Sequence, residues 1–156
     1  MHGDVGVISD THGLLRPEAV AALRGVSRVV HAGDIGSAAV LDALAAVAPV
    51  TAVRGNNDRG AWASRIPEAE VLDLDGVKLY VLHDVNDLAI DPGVAGFAAV
   101  ISGHSHRPRQ EDANGVLYFN PGSAGPRRFR LPVSVGRLRI EAGRVTGTLV
   151  TLEVRP

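Results

Sequence analysis

Two of the six histidines in this chain sit one residue apart, in Ser102-Gly103-His104-Ser105-His106. Imidazoles this close are either a chance surface feature or nitrogen ligands for metal. Four other stretches carry side chains of similar competence: Asp10-Thr11-His12-Gly13, His31-Ala32-Gly33-Asp34, Gly55-Asn56-Asn57-Asp58 and His83-Asp84. Imidazole nitrogens, carboxylates and amide oxygens are all metal donors. The chain has no cysteine, which excludes disulfides, thiolate zinc sites and cysteine nucleophiles. A metal held here must rest on His, Asp, Glu, Asn or water, which favours fairly hard ions such as manganese, magnesium, iron or zinc.

Such residues act together only if the fold gathers them. Residues 5–9 read as a short buried strand running into Asp10, residues 26–31 as a second running into Gly33-Asp34, and residues 50–54 as a third ending at Gly55-Asn56. Residues 17–24 read as a helix with Pro17 in its first turn, where a missing N–H costs nothing. Residues 38–47 read as a helix capped by Ser37 and stopped by Pro49. This alternation predicts a parallel sheet. Beyond about Pro67 the texture changes. Residues 71–74 and 77–82 flank the hairpin signal Asp75-Gly76, residues 97–102 form another apolar strand, and residues 109–113 and 116–119 flank Asn114-Gly115. Residues 133–140 and 144–154 join around Ala142-Gly143, so the C-terminal half is expected to be mostly antiparallel.

Five of these strands deliver a metal-capable side chain just beyond their carboxyl end, the edge at which open α/β sheets build ligand sites. Gly13, Gly33, Gly55 and Gly103 are expected to let the backbone turn sharply there. Each motif alone has a plain reading: a capping aspartate, a commonplace Gly-Asp, a loop of Asx turns, a strand-end histidine. Their order and shared place at strand ends favour one joint site.

Composition is compatible with this. A length of 156 residues suits one domain with a real core, read as 1–156 without an internal linker. Aromatics are only 4%, so the core must be built from Val, Leu, Ile and Ala. A net charge of -1 argues against a broad basic surface for nucleic acid. No segment approaches the roughly 20 apolar residues of a membrane span. Met1-His2-Gly3-Asp4 lacks the basic and apolar regions of a signal peptide, which makes the cytoplasm the expected location.

In order, the motifs Asp-x-His, Gly-Asp, Gly-Asn-x-Asp, a strand-end His and Gly-His-x-His resemble the calcineurin-like metallophosphoesterase superfamily. With Asn120-Pro121-Gly122-Ser123 they look like its small YfcE-type phosphodiesterase branch. The resemblance runs from about Val5 to Ser123. It implies an α/β fold in which a two-sheet β-sandwich is flanked by helices, the four-layer αββα metallophosphoesterase arrangement. By the same resemblance Asp10, His12 and His106 bind one metal, Asn56, His83 and His104 bind a second, and Asp34 bridges both. Manganese is the expected ion, with iron, zinc, nickel or magnesium as alternatives. Two cations about 3.5–4 Å apart need a bridging anion, and a water between them becomes acidic enough to act as the nucleophile. The implied activity is hydrolysis of a small phosphoester, with Asp34, Asn56 and His104 acting through the metals. His104 and His106 are then expected on opposite sides of Asp34.

Two departures stand out. Many members carry a histidine after Gly-Asn, where it can protonate the leaving group; here that position is Asn57, and an amide is no general acid at neutral pH. The YfcE-type branch usually lacks that histidine too. His83 is followed by Asp84 where many relatives have glycine. Around the ligands, His31, Asn57, Asp58 and Ser105 are expected to orient them from behind. Arg107, Arg127 and Arg128 are candidate substrate contacts, although a run of arginines is more simply a solvated face. Trp62 is a rim or packing residue, Asp91-Pro92 reads as a helix cap, Asn120–Ser123 as a structural turn, and His2 as a surface residue. Homo-oligomers are plausible by family resemblance. A protein-interaction scaffold of the kind formed by the retromer subunit with this fold is the competing function, and a nuclease ranks below both.

Overall fold

A computed structural model of the chain describes residues 3–154, which leaves His2 outside the described residues. The elements run β1 (Val5–Ile8), α1 (Pro17–Ala22), β2 (Arg28–His31), α2 (Ala38–Ala45), β3 (Val50–Ala52), β4 (Ala69–Leu74), β5 (Val77–Leu82), β6 (Phe97–Ile101), β7 (Arg109–Ala113), β8 (Val116–Asn120), β9 (Ser134–Glu141) and β10 (Arg144–Thr151). They form two mixed five-stranded sheets, ordered β10-β9-β1-β2-β3 and β4-β5-β6-β8-β7. In the first sheet β1, β2 and β3 are parallel, as their helical crossovers require.

The second sheet departs from the antiparallel expectation. β4 and β7 run antiparallel to their neighbours, but β5 pairs parallel with β6 and β6 parallel with β8. The crossover segments that permit this are the 3-10 turn Val85–Asp87 with the loop after it, and the β7 hairpin. The result matters for chemistry: β5 and β6 end at the same edge, so His83 and His104 emerge side by side.

The two sheets bury a shared apolar layer. Val5, Val7, Val30 and Leu138 of the first sheet meet Leu72, Leu79, Val81, Ile101 and Phe119 of the second. Burying each such side chain contributes about 1.5–3 kcal/mol. Phe119 fits because Gly136 and Gly147 present bare backbone to it; a Cβ on Gly147 would lie 2.6 Å from its ring. Both helices cover the outer face of the first sheet, where Ala19, Leu23, Val40 and Leu44 pack on Ile8, Val29 and Val135. On the outer face of the second sheet the helical layer is thin. Leu82, Val100 and Val116 are covered there by Val85, Leu88 and the Tyr80 and Tyr118 rings.

Local signals held with small shifts. α1 ends at Ala22, short of Arg24, and left-handed Gly25 follows at φ 83. Ser37 occupies the N-cap of α2 but its side chain makes no capping bond, and that helix ends at Ala45. Asp91 caps a single turn rather than a helix, its Oδ1 accepting from the Val94 N–H at 3.2 Å.

Candidate metal centre

The loops after β1, β2, β3, β5 and β6 meet at one edge. Backbone bonds stitch them: Asp10 N–H to the Gly33 carbonyl at 3.0 Å, His12 N–H to the Asp34 carbonyl at 2.9 Å, and Gly103 N–H to the His83 carbonyl at 2.9 Å. Asp10, His12, Asp34, His104 and His106 all adopt left-handed backbone, with φ between 48 and 71. This conformation costs a non-glycine residue on the order of 1–2 kcal/mol. Asp tolerates it better than most, and strain of this kind gathers at sites the surrounding fold over-determines.

The expected role of the glycines is half right. Gly13 and Gly33 turn through φ 85 and 103, whereas Gly55 and Gly103 do not use the left-handed region. They permit close approach instead. A Cβ on Gly55 would collide with Asp34, and one on Gly103 would strike the Ser9 hydroxyl and lie 2.6 Å from Asp10 Oδ2.

The side chains form two triads, each with donor atoms within 4.8 Å of one another: Asp10, His12 and His106, and Asp34, His83 and His104. In the first, His106 Nε2 lies 3.4 Å from Asp10 Oδ1 and 3.4 Å from His12 Nε2. In the second, His83 Nε2 lies 3.2 Å from Asp34 Oδ2 and 3.3 Å from His104 Nδ1. Asp34 Oδ2 also faces the first triad, 3.9 Å from His12 Nε2. His106 is buried, whereas the His104 side chain is 45% exposed. Asn56 is exposed at the mouth, lining with His83 and His104 a cavity of about 480 Å³.

Asp10 shows what the arrangement can hold. Its Oδ2 is satisfied by the Ser9 hydroxyl at 2.6 Å and the His104 N–H at 3.0 Å. Its Oδ1 is buried without a hydrogen-bond partner among the described residues and faces the imidazole nitrogens. A buried carboxylate oxygen left bare is costly unless a cation meets it. The donor set of imidazole nitrogens and carboxylate oxygens fits a divalent cation.

The residues behind these donors are tied to them. Asp58 accepts backbone N–H bonds from Ile35, Gly36 and Gly55 at 3.1, 3.0 and 2.9 Å, which binds the Asp34 loop to the Asn56 loop. His31 Nδ1 accepts from the Gly33 N–H at 3.1 Å, so its Nε2 carries the proton and donates to Thr11 Oγ1 at 3.0 Å; that hydroxyl donates to the Ile35 carbonyl at 2.7 Å. Ser105 is more than a spacer, because its Oγ accepts from the Arg107 N–H and the Asn120 amide, both at 3.2 Å.

Charge follows geometry. Burial alone would raise the Asp34 carboxyl, but the His83 and Asn57 hydrogen bonds and the nearby imidazoles hold it down to about 2. Burial works against charge on His83, yet Asp34, Asp10 and the bond from its Nδ1 to the Ala32 carbonyl push it up to about 9. Burial presses Asp10 upward too, and His106 and Ser9 bring it below the usual carboxylate value. Full burial takes His31 down to about 4, so it is neutral at pH 7.

The sequence pattern of the calcineurin-like phosphoesterase superfamily domain matches residues 4–143. The chain belongs to that superfamily. A probable metallophosphoesterase of Methanocaldococcus jannaschii is 33% identical over 163 residues, covering 96% of this chain and 81% of the relative. A phosphodiesterase of the same organism is 31% identical over 139 residues, covering 76% of this chain and 82% of the relative. In fold the chain is similar to zinc-complexed Vps29 of Entamoeba histolytica, with a TM-score of 0.73 at 24% identity over 95% of this chain and 98% of that one. It is similarly close to the YfcE phosphoesterase of E. coli, with a TM-score of 0.69 at 22% identity over 96% and 100%. Membership carries divalent-metal chemistry and phosphoester hydrolysis as its general character.

Within this phosphoesterase domain, sequence reasoning missed Ser9 and Thr11, which hold Asp10 and His31, and gave Asn120 and Ser123 only a turn. Ser123 Oγ donates to the Asp10 carbonyl at 3.0 Å, and the Asn120 amide donates to the Gly103 carbonyl at 2.9 Å. Their positions beside the motifs were the available signal. Trp62 packs against the helix-side core. Arg107, Arg127 and Arg128 are exposed, and Arg107 shares a surface cavity with Phe129, Arg130 and Leu131.

Proposed function

We propose that the chain is one catalytic domain, a dinuclear metal-dependent phosphodiesterase acting on a small phosphoester. In this reading Asp10, His12 and His106 would hold one ion, Asn56, His83 and His104 would hold the other, and Asp34 would serve both. The observation that carries it is the pair of adjoining triads, with Asp34 of the second reaching to 3.9 Å from His12 of the first and the buried Asp10 Oδ1 aimed among imidazole nitrogens. When bound, the two ions, manganese first among the candidates, would supply an acidified water as nucleophile and neutralise the phosphoryl oxygens. The protein groups orient and exclude. His83 is fixed by the Ala32 carbonyl, Asp34 by Asn57, and Asp10 by Ser9 and the His104 N–H. The cavity beside His104 receives one ester substituent.

Gly125 packs against the Asp10 and Thr11 carbonyls, so the segment that follows it leaves beside the first triad. Arg127 and Arg128 on that segment, with Arg107 next to His106, give a basic approach for a phosphoester anion. Asn57 donates no proton, which favours esters with good leaving groups.

The test uses a generic aryl phosphodiester with manganese. His104→Ala and Asp34→Ala should abolish turnover, and chelation should do the same. Undiminished hydrolysis after chelation would end this reading. The fold likeness to Vps29 favours a second reading, a protein-interaction scaffold with little or no activity. It gains ground if two ions bind and no phosphomonoester, phosphodiester or cyclic nucleotide is turned over.

A further inference from the structure

His104 meets the second triad through one nitrogen only. His83 spends its Nδ1 on the Ala32 carbonyl and presents Nε2 to the cluster, where it faces His104 Nδ1 at 3.3 Å. The other His104 nitrogen, Nε2, lies 3.7 Å from Asp84 Oδ2, within ion-pair range. Asp84 is held in place for this. Its Oδ1 accepts from the Asn86 N–H at 3.0 Å, capping the 3-10 turn Val85–Asp87, so only Oδ2 is left toward His104. The bond from the Gly103 N–H to the His83 carbonyl at 2.9 Å locks the two loops together, which fixes the separation of Asp84 from His104.

We infer that Asp84 is a positioning residue that holds His104 in the tautomer protonated at Nε2, leaving Nδ1 as the donor toward the metal. The inference rests on the metal-centre reading above. A carboxylate behind a ligating imidazole fixes its ring and raises its basicity, and its loss typically costs 10- to 100-fold in metal affinity. His104 is the candidate ligand that most needs this help, since it is the exposed member of its triad.

The test is calorimetric zinc titration of the full chain as wild type, Asp84→Asn, Asp84→Gly and Asp87→Asn, with ¹⁵N histidine spectra of the zinc-loaded protein. Asparagine keeps an oxygen for the Asn86 N–H but turns an N–H toward His104. Both Asp84 variants should weaken one of two uptake steps by about 10- to 100-fold and leave the other alone. Asp87→Asn, which removes a charge from the same cavity wall, should leave both steps within about two-fold. The spectra should show His104 coordinated through Nδ1 with a proton on Nε2. Unchanged uptake in both Asp84 variants, equal losses in Asp84→Asn and Asp87→Asn, or coordination through Nε2 would each overturn the inference. Those outcomes leave the metal-centre reading standing if wild type takes up two ions; a wild type that takes up none defeats both.

Discussion

Asn57 donates to both oxygens of Asp34, from its backbone N–H to Oδ1 at 3.0 Å and from its side-chain amide to Oδ2 at 3.2 Å. The residue that cannot serve as a general acid thus clamps the carboxylate of the second triad that faces the first. Asn57→Ala keeps the first bond and loses the second. It should lower manganese affinity by about 10- to 100-fold with little change in melting temperature. Calorimetry alongside thermal melting checks this; an unchanged affinity would mean that the backbone bond alone fixes Asp34.

Ion uptake should release a proton. Before an ion binds, His83 is protonated up to about pH 9 because Asp34 and Asp10 outweigh its burial. A cation must displace that proton, so affinity should rise with pH up to about 9. Titrations at pH 7.5 in two buffers of different ionisation enthalpy should differ by close to one proton released, and His83→Ala should remove that difference. Without ions, the His83–Asp34 pair stabilises the fold fully between about pH 3.8 and 6.5, and its contribution is lost as pH rises through about 9 or falls through about 2.

His31 gives the opposite dependence. Its folded value near 4 lies below the ordinary 6.5, so the unfolded chain binds the extra proton between those limits. Stability should fall as pH drops from about 6.5 toward 4, by an amount on the order of 3 kcal/mol. Denaturant midpoints for wild type and His31→Asn across this range provide the check. The variant should lose most of the slope while its Oδ1 still accepts the Gly33 N–H.

Gly103→Ala separates close approach from backbone freedom. The new methyl would press on Ser9 and Asp10 without any left-handed strain. Aryl diester hydrolysis should fall at least about 100-fold, because groups in the site tolerate little displacement. Gly76, at φ 87 with open space around it, is the control. Gly76→Ala should cost about 1 kcal/mol in denaturant unfolding and leave hydrolysis intact.

Where a local rule decides the structure, the sequence is readable. Asp75-Gly76, Asn114-Gly115 and Ala142-Gly143 all take two successive positive φ values, the geometry a two-residue hairpin demands. Asp10, His12, Asp34, His83, His104 and His106 gather in two triads, with Asn56 lining the cavity beside them. What local pattern does not encode is partner choice among strands. β5, β6 and β8 are apolar runs that fit either direction, and long crossovers set them parallel. The left-handed backbone of His12, His104 and His106 was also illegible, because histidine does not announce it. The same holds for Ser9 and Thr11, ordinary hydroxyls whose partners exist only after the loops converge.

Each triad takes its members from both sheets. Asp10 and His12 leave β1 of the first sheet to meet His106 beyond β6 of the second, and Asp34 leaves β2 to meet His83 and His104 beyond β5 and β6. Apolar packing between sheets is non-directional, whereas metal coordination fixes direction and distance. An ion in either triad would therefore be a crosslink, pinning one sheet against the other at a single edge. Hydrolytic competence would then mature late in folding, after the sheets dock, and its loss would be the earliest sign that they are parting.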